Sequence, residues 1–416
     1  MPSSSPEGHQ AIVIGAGPAG LAAAAMLQRE GVETLVLERD AVASSWRRFY
    51  DRLHLHTVRW LSGLPGLPIH RSEGRWVPRD GVVAYLERYS RYHRLKVRTN
   101  VEVRRIERRG ERWVLHADED SFDAKFVVIA TGFNREPFLP DWPGMKTFQG
   151  ELLHSIDYRN PEPYRGREVL VVGTGNSGAE IAVDLVEGGA RHVMISVRTP
   201  PNILRRDVAG FPSQVVGVLA RRPPVPVVDR VSIAMQRLTV GDLAPYGMPA
   251  PAKGLKSRAN EDAIPILDVG LIDLVKQRRV EVVAAVEGFD GDQAILSDGR
   301  RVRADAVIAA TGFRRGLEPL VGQFGVIGPN GRPAVHGPET DPRAPNLYFI
   351  GFSNPLSGNL REVAIDAKRI ARAVRRKAES RPRPSSRGSA RSPTVRPTGR
   401  RCRALGRGGH AGLDAQ

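Results

Sequence analysis

The sequence has little of several groups on which particular chemistries depend. Its 416 residues include one cysteine, Cys402, which excludes intrachain disulfides and cysteine-based metal centres and indicates a reducing compartment. The longest apolar stretches fall well short of the roughly 20 residues that cross a bilayer. Residues 1–10 lack the basic and apolar regions of a signal peptide. We therefore expect a cytoplasmic protein with no membrane span and no metal site.

Positive charge is in excess, but it is unevenly distributed. The formal net charge is +17, and residues 381–416 contain nine arginines and one aspartate among Pro, Ser and Gly. This composition predicts a disordered tail, residues 379–416, because it cannot bury enough apolar surface to fold. The tail has no aromatic side chains for stacking on single strands, so we expect no specific nucleic-acid partner. A weak contact with nucleic acid or a membrane surface is the alternative.

Two glycine motifs are the most informative feature that is present. Gly15-Ala16-Gly17-Pro18-Ala19-Gly20 and Gly173-Thr174-Gly175-Asn176-Ser177-Gly178 each follow an apolar, strand-like run and open a helix-like segment. In such motifs the first glycine allows a tight turn, the second lets the backbone approach a pyrophosphate, and the third allows close helix–strand packing. One GxGxxG is weak evidence, but here the full context occurs twice. The pattern predicts two dinucleotides; the alternative is two glycine-rich turns in an ordinary α/β sheet.

The residue at the end of the next strand distinguishes the two motifs. Glu38 follows the apolar run of residues 34–37, and an acid at this position accepts hydrogen bonds from ribose hydroxyls. The second unit has Arg198 instead, and a cation there suits a 2′-phosphate. We therefore predict FAD at the first motif and NADPH, rather than NADH, at the second.

An α/β fold follows, with two Rossmann-like dinucleotide-binding domains, the NADPH domain being inserted in the FAD domain. The predicted blocks are residues 8–155 and 301–378 for FAD, residues 160–300 for NADPH with a substrate-entrance insertion, and the tail. An internal repeat supports this order, because two apolar strands end in Ala130-Thr131-Gly132-Phe133 and Ala310-Thr311-Gly312-Phe313. We interpret the repeat as the place where the chain passes between domains, with small residues that let the backbone approach a cofactor.

A third motif carries a family resemblance. The segment from Phe148 to Tyr158 matches the pattern FxGxxxHxxxY through Phe148, Gly150, His154 and Tyr158, and it resembles the class B flavin-dependent monooxygenases. Further segments resemble the YUCCA-type indole-3-pyruvate monooxygenases in particular. These segments are residues 37–39, 43–46, 50–53, 55–56, 173–180, 265–270 and 366–371. The resemblance covers nearly the whole chain before the tail.

The resemblance implies an activity. In this family NADPH reduces FAD, oxygen adds to the flavin as a C4a-(hydro)peroxide, and one oxygen atom passes to a small-molecule substrate while the protein excludes water. The substrates expected are an aryl α-keto acid such as indole-3-pyruvate, which would be oxidatively decarboxylated, or compounds oxygenated at N or S. A homodimer is the assembly that we consider.

The resemblance also implies site residues. Those expected to bind FAD are Gly15, Gly17, Pro18, Ala19, Gly20, Glu38, Arg39, Trp46, Arg47, His56, Ala130, Thr131, Gly132, Ser357 and Gly358. Those expected to bind NADPH are Gly173, Gly175, Asn176, Ser177, Gly178 and Arg198. Within the third motif, Gly150, His154 and Tyr158 are expected to shape the connection between domains. For His154 a hydrogen-bonded structural role is favoured over a chemical one.

His56 is the one candidate catalytic residue. Relatives that oxidise amines and sulfides have an asparagine about here, whereas this chain has Leu55-His56-Thr57. A histidine beside the flavin could tune the protonation of its oxygen adduct; that it merely packs near FAD is an equal alternative. Two departures limit the resemblance: Tyr158 replaces the Trp of Baeyer–Villiger enzymes, and residues 202–207 differ from the plant proteins. Residues 211–256 are expected to help line the substrate entrance.

Two other functions compete with a monooxygenase. Without a redox-active cysteine pair, electrons must pass to oxygen, a diffusible acceptor or a protein partner. The second hypothesis is therefore an FAD-dependent NAD(P)H reductase that serves a quinone or an iron–sulfur protein. The third is a non-enzymatic protein that binds nucleic acid through its basic tail.

Overall fold

The computed structural model describes residues 7–379 except residues 119, 209, 221 and 262. The predicted tail and Cys402 lie outside the described residues. The strands are β1 (Glu7–Ile14), β2 (Thr34–Leu37), β3 (Lys96–Arg98), β4 (Val103–Arg109), β5 (Arg112–Ala117), β6 (Asp120–Ile129), β7 (Glu136–Pro137), β8 (Glu151–His154), β9 (Glu168–Val172), β10 (His192–Ser196), β11 (Ile203–Arg205), β12 (Asp207–Val208), β13 (Phe211–Pro212), β14 (Ile266–Asp268), β15 (Val280–Val283), β16 (Val286–Asp290), β17 (Gln293–Leu296), β18 (Arg301–Arg303), β19 (Ala306–Ala309), β20 (Phe313–Arg314) and β21 (Leu347–Phe349). The helices are α1 (Pro18–Arg29), α2 (Ser44–Arg47), α3 (Arg59–Ser62), α4 (Arg79–Tyr92), α5 (Asn176–Glu187), α6 (Ser213–Leu219), α7 (Val225–Thr239), α8 (Leu255–Asn260), α9 (Leu271–Lys276), α10 (Glu318–Val321) and α11 (Asn359–Glu379).

The first large sheet is built around β1. Its order is β3-β2-β1-β6-β5-β4, and β21 also pairs with β6. The pairs β1–β2, β1–β6, β2–β3 and β6–β21 are parallel, whereas β4 and β5 continue from β6 as an antiparallel meander. Residues 11–14 are buried throughout, as expected of a parallel strand covered on both faces. Helices α1, α4 and α11 contribute to the core on one face.

Helix α11 packs against α1 through an apolar face. Its buried apolar residues include Val363, Ala367, Ile370 and Val374, a spacing that places them on one face of a helix. Alanines dominate the buried residues of α1, so the two helices can pack closely. The remaining positions of α11 are mostly charged, and in the part of the chain that the structure describes every helix is too short or too polar to cross a membrane.

The second large sheet is parallel throughout. Its order is β15-β10-β9-β19-β8. Residues of α5 and α9 form the core on one side, and the antiparallel strands β16, β17 and β18 contribute to the core on the other. Since β8 and β19 belong to this sheet, its strands come from both sides of the predicted block 160–300. The domain boundaries themselves stay a prediction.

The internal repeat occupies equivalent places in the two sheets. Ala130 and Ala310 follow β6 and β19, and their N–H groups donate to the carbonyls of Ile14 (2.9 Å) and Val172 (2.8 Å), the last residues of β1 and β9. Strand β7 follows the first repeat, strand β20 begins at the last residue of the second, and these two short strands pair with each other. The predicted fold class, α/β with two Rossmann-like units, is confirmed.

Candidate active site

A cavity of about 360 Å³ lies among the residues that follow β1, β2 and β6, where ligands of open α/β sheets usually bind. Its volume is within the usual range for small-molecule sites. Many of the predicted site residues line it. They are Gly15, Gly17, Pro18, Ala19, Glu38, Arg39, Trp46, His56, Ala130, Thr131, Gly132, Asn176 and Gly358. The other predicted residues, Gly20, Arg47, Ser357, Gly173, Gly175, Ser177, Gly178 and Arg198, are not among the lining residues.

In the first glycine turn, close packing requires two of the glycines, and the position between them faces open space. Gly15 has φ +108°, and a Cβ there would lie 2.5 Å from the Ala130 carbonyl oxygen. At Gly20 a Cβ would lie 1.8 Å from the Gly15 carbonyl oxygen, so both positions require glycine for the protein's own backbone. A Cβ at Gly17 would meet nothing within 4 Å. The turn therefore leaves open space at the start of α1, where N–H groups suit an anionic ligand.

Glu38 is anchored to this turn. Its Oε2 accepts from the Ala16 N–H at 2.6 Å, and its Oε1 accepts from the Asp40 N–H at 3.1 Å. The side chain is buried, yet it lines the cavity. A carboxylate held in this way can accept further hydrogen bonds from ligand hydroxyls.

Buried polar atoms without partners show what the cavity is built to hold. Thr131 Oγ1, Arg135 Nη1 and His56 Nδ1 are buried and have no hydrogen-bond partner among the described residues. All three residues line this cavity. Buried polar groups in folded proteins are almost always paired, so this arrangement fits a polar, anionic ligand that completes their hydrogen bonds. Burial lowers the pKa of Arg135. The sequence patterns did not point to Arg135.

The second glycine turn repeats the first in its backbone. Gly173 has φ +116°, and a Cβ there would lie 2.5 Å from the Ala310 carbonyl oxygen. A Cβ at Gly178 would lie 2.1 Å from the Gly173 carbonyl oxygen, while one at Gly175 would meet nothing within 4 Å. Arg198, just beyond β10, is exposed. This turn therefore also offers a helix N-terminus with open space beside it.

Asn176 connects the second turn to the cavity wall. Its Nδ2 donates to the Pro265 carbonyl at 3.3 Å, and its Oδ1 accepts from the Leu267 N–H at 2.7 Å. Pro265 and Leu267 line the cavity as well. Both lie in the segment 265–270, one of the segments that resemble the YUCCA-type proteins.

The segment from Phe148 to Tyr158 is structural in its contacts. The Phe148 ring packs on that of Phe289, with ring centroids 4.9 Å apart, and a Cβ at Gly150 would lie 2.6 Å from the Phe148 ring. His154 is buried; its Nε2 lies 3.0 Å from the Gly312 carbonyl oxygen, and its Nδ1 accepts from the Ile156 N–H at 3.2 Å. Both ring nitrogens of His154 thus bond to the backbone. Tyr158 donates to Asp184 Oδ2 of α5 at 2.7 Å.

Arg47 and Ser357 each contact a glutamate of the protein itself. The Arg47 guanidinium pairs with Glu87, and the neighbouring Arg48 lines the cavity instead. Ser357 is fully buried and donates to Glu362 Oε1 at 2.8 Å. Beside it, Gly358 has φ +97° and lines the cavity.

Gln214 holds the loop at Ser357 against the wall of the cavity. Its Nε2 donates to the Ser357 carbonyl at 2.9 Å, and its Oε1 accepts from the Val58 N–H at 2.9 Å. Gln214 is buried and lines the cavity, as do Ser213, Gly217 and Leu255 from the same insertion. Nothing in the mixed pattern of residues 211–256 singled out Gln214, because its role comes from contacts with distant parts of the chain.

His56 has a buried carboxyl group for a neighbour. Its Nε2 lies 3.5 Å from Oε1 of Glu180 in α5, and Tyr50 donates to Oε2 of the same carboxyl at 2.5 Å. Burial raises the pKa of Glu180 to about 7, while burial and the charges of Arg206 and His54 lower the pKa of His56 to about 4. Both shifts favour the uncharged form of the group concerned.

The chain is similar to known proteins. The family model described as pyridine nucleotide-disulphide oxidoreductase matches residues 12–208. The indole-3-pyruvate monooxygenase YUCCA1 of Oryza sativa subsp. japonica is 35% identical over 82% of this chain and 86% of its own length. The probable indole-3-pyruvate monooxygenase YUCCA7 of Arabidopsis thaliana is 34% identical, covering 86% of each chain.

Solved structures agree with these relatives. A flavin-containing monooxygenase from Stenotrophomonas maltophilia matches with a TM-score of 0.67 and 27% identity, over 89% of this chain and 99% of that one. A cyclohexanone monooxygenase matches with a TM-score of 0.69, over 90% of this chain and 88% of that one. At 18% identity the latter supports the fold alone.

Two glycine turns that each open a helix beside one cavity fit a two-dinucleotide oxidoreductase, and the matches are to enzymes of that class. The chain belongs to the flavin-dependent monooxygenase family that includes the YUCCA indole-3-pyruvate monooxygenases. Membership of this family confirms the predictions of an oxidoreductase, of monooxygenase activity, and of FAD and NADPH as cofactors. Oxygen and a small molecule are accordingly its substrates.

Proposed function

We propose that this chain oxygenates a small carbonyl substrate of the aryl α-keto acid class, such as indole-3-pyruvate, and releases the carboxylic acid with one carbon fewer. The observation that carries the proposal is the cavity itself. It is bordered by a glycine turn, by the start of the second turn's helix, and by three residues with buried polar atoms that have no partner in the part of the chain that the structure describes. The identity of the plant relatives supports the substrate class.

Different residues are assigned to each of the two cofactors. Gly17, Glu38, Thr131 and Arg135 would hold FAD, and Gly175 with Arg198 would hold NADPH. FAD supplies the oxygen-transfer chemistry once NADPH has reduced it. We propose that the FAD-binding domain comprises residues 8–155 and 301–378, apart from β8 and β19, and that the NADPH-binding domain comprises residues 160–300 together with those strands.

The protein's own contribution is to bind, orient and exclude water. The Gln214 bridge holds the loop at Ser357 over the cavity, which limits access of solvent. His56, neutral above about pH 4, can donate or accept one hydrogen bond at the wall of the cavity without adding charge. Because the chain has a single cysteine, we propose a cytoplasmic location. We also propose a homodimer, which light scattering of the purified protein would test.

The test follows both oxygen atoms. The purified protein is supplied with NADPH, ¹⁸O₂ and indole-3-pyruvate, and bound cofactor, product and hydrogen peroxide are measured. We expect FAD, one ¹⁸O atom in indole-3-acetate, the second in water, and one carbon dioxide for each NADPH oxidised. Recovery of all the oxygen as hydrogen peroxide, with electrons passing readily to a quinone, would instead establish the reductase.

His56 is tested in the same assay. We expect His56→Ala to retain FAD and to release a larger share of the oxygen as hydrogen peroxide, because the group that tunes proton supply at the flavin is gone. Equal peroxide release by the wild-type protein and the variant would show that His56 only packs near the cofactor.

A further inference from the structure

Helix α5 presents three carboxylates to one segment of the first unit. Glu180, Asp184 and Glu187 are spaced by four and three residues, which places them on one face of the helix. Tyr50 contacts Glu180, while Arg52 lies 3.6 Å from Asp184 and pairs with Glu187. This face therefore joins the helix that opens at the second glycine turn to the segment that leads to His56.

Two of these carboxylates are held in the same manner. Tyr50 donates to Glu180 at 2.5 Å, and Tyr158 donates to Asp184 at 2.7 Å. Both carboxylates are buried, and burial raises the pKa of each. The difference lies in the third partner, which is His56 for Glu180 and Arg52 for Asp184. Asp184 is therefore a natural control for Glu180.

The geometry lets one proton decide the state of the His56 ring. An ionised Glu180 favours the ring proton on Nε2, which faces its Oε1, and leaves a lone pair on Nδ1. A protonated Glu180 presents an O–H to Nε2 and favours the ring proton on Nδ1. Ionisation thus releases one proton to solvent and moves the ring proton from Nδ1 to Nε2. The distance of 3.5 Å is at the outer limit of a hydrogen bond, and such contacts often shorten when a ligand binds.

We propose that Glu180, held by Tyr50, is a positioning residue that selects the tautomer of His56 at the wall of the cavity. The role assigned to the cavity rests on the proposed function, but the tautomer itself does not. Nδ1 of His56, the atom whose state changes, has no partner among the described residues. Its proton or lone pair is thus available to whatever completes the site.

Other charged and titratable groups surround Glu180. Arg206, Arg52 and His54 favour its ionised form, as does the hydrogen bond from Tyr50. Burial acts against all of them and prevails, which brings the pKa to about 7. Asp184 lies one turn further along α5 and acts on Tyr50 as well. The change of tautomer is therefore expected in the neutral range.

The test reads the tautomer directly. Full-length holoenzyme labelled with ¹⁵N-histidine is followed by two-bond ¹H–¹⁵N correlation from pH 5.5 to 8.5, and His56→Asn identifies the signals. In the wild-type protein we expect the proton of His56 to move from Nδ1 to Nε2 with a midpoint near pH 7. Glu180→Gln should abolish this transition, and Asp184→Asn should leave it in place.

Tyr50→Phe provides a second measurement if Glu180→Gln does not fold. Removing the O–H donor should raise the midpoint, because that hydrogen bond favours the carboxylate. A wild-type ring whose tautomer does not change with pH, or an equal effect of Asp184→Asn and Glu180→Gln, would overturn the proposal. Because the spectrum needs no turnover, failure of the ¹⁸O experiment and failure of this one are distinguishable.

Discussion

The two glycine turns have the same backbone and different surroundings. Gly15 and Gly173 both have positive φ and both lie against the alanine of an Ala-Thr-Gly repeat, and Gly17 and Gly175 both face open space. The first turn lines the cavity with Gly15, Gly17, Pro18 and Ala19, whereas in the described structure Asn176 alone represents the second. The two turns thus share a backbone that leaves open space at the start of a helix, and they differ in the side chains around that space.

The helices that follow the turns differ in the same way. At the positions where α1 has Ala22 and Met26, α5 has Glu180 and Asp184. Helix α1 packs in an apolar core with α11, so it tolerates no acid there. Helix α5 uses its acids to bind Tyr50 and Tyr158.

The largest expected effect comes from the third glycine of each turn. Gly20→Ala and Gly178→Ala each force a Cβ against the carbonyl oxygen of the preceding turn, and overpacking of this kind costs about 1–3 kcal/mol or more. We expect Gly20→Ala to lose FAD and Gly178→Ala to keep FAD while responding poorly to NADPH, measured by flavin absorbance and by reduction rate. The opposite pattern would reverse the assignment of the two turns.

The second largest effect is expected at Glu180, and it concerns how the free energy of unfolding depends on pH. Its pKa is about 7 when folded and 4.5 for an ordinary glutamate, so the folded state binds more protons between these values. Its contribution to the free energy of unfolding therefore falls as pH rises from about 4.5 to 7. Over this pH interval the free energy of unfolding of Glu180→Gln should rise by about 1–3 kcal/mol relative to that of the wild-type protein, measured by urea unfolding. Asp184→Asn should change in the same direction, because burial raises the pKa of Asp184 as well. A pH-independent difference for Glu180→Gln would contradict the prediction.

Replacing Arg198 should weaken the binding of NADPH and not that of NADH. If its guanidinium pairs with a 2′-phosphate, Arg198→Ala should raise the KM for NADPH about tenfold, equivalent to about 1.4 kcal/mol, and leave that for NADH unchanged. Arg191→Ala is the control, because Arg191 is an exposed arginine at the other end of β10 that pairs with Glu168. Equal changes for the two nucleotides would exclude this role.

The smallest effect is expected at the middle glycines. Since a Cβ at Gly17 or Gly175 meets no protein atom within 4 Å, alanine there should leave the melting temperature nearly unchanged. It should weaken nucleotide binding about fivefold, or about 1 kcal/mol, because the methyl group occupies space next to the pyrophosphate. Isothermal titration of the FAD-free Gly17→Ala protein would measure this, and unaltered affinity would place the phosphates elsewhere.

Much of this architecture could be predicted from sequence because it is local. Each glycine motif opens a helix, as the sequence predicted: α1 runs from Pro18 to Arg29 and α5 from Asn176 to Glu187. Helix α5 begins directly after its N-cap, Gly175. The motif from Phe148 to Tyr158 pointed to the family, which the relatives confirmed.

The residues that sequence patterns missed act through distant partners. Gln214 connects Val58 to Ser357, and Tyr50 lies 130 residues from Glu180. No periodicity or motif records such contacts. The roles of the predicted cofactor ligands, including Arg47 and Ser357, stay predictions.

The sequence by itself determined the two turns, since positive φ and the lack of room for a Cβ are requirements that only glycine meets at the end of a strand. It also determined the acid and the cation that distinguish them. Only the tertiary structure decided that Thr131, Arg135 and His56 would share one cavity, each with a buried polar atom that has no partner among the described residues. It also decided that Glu180 would lie against His56. The physical reason is that hydrogen-bond satisfaction and burial depend on which distant segments pack together, and that is a property of the whole fold.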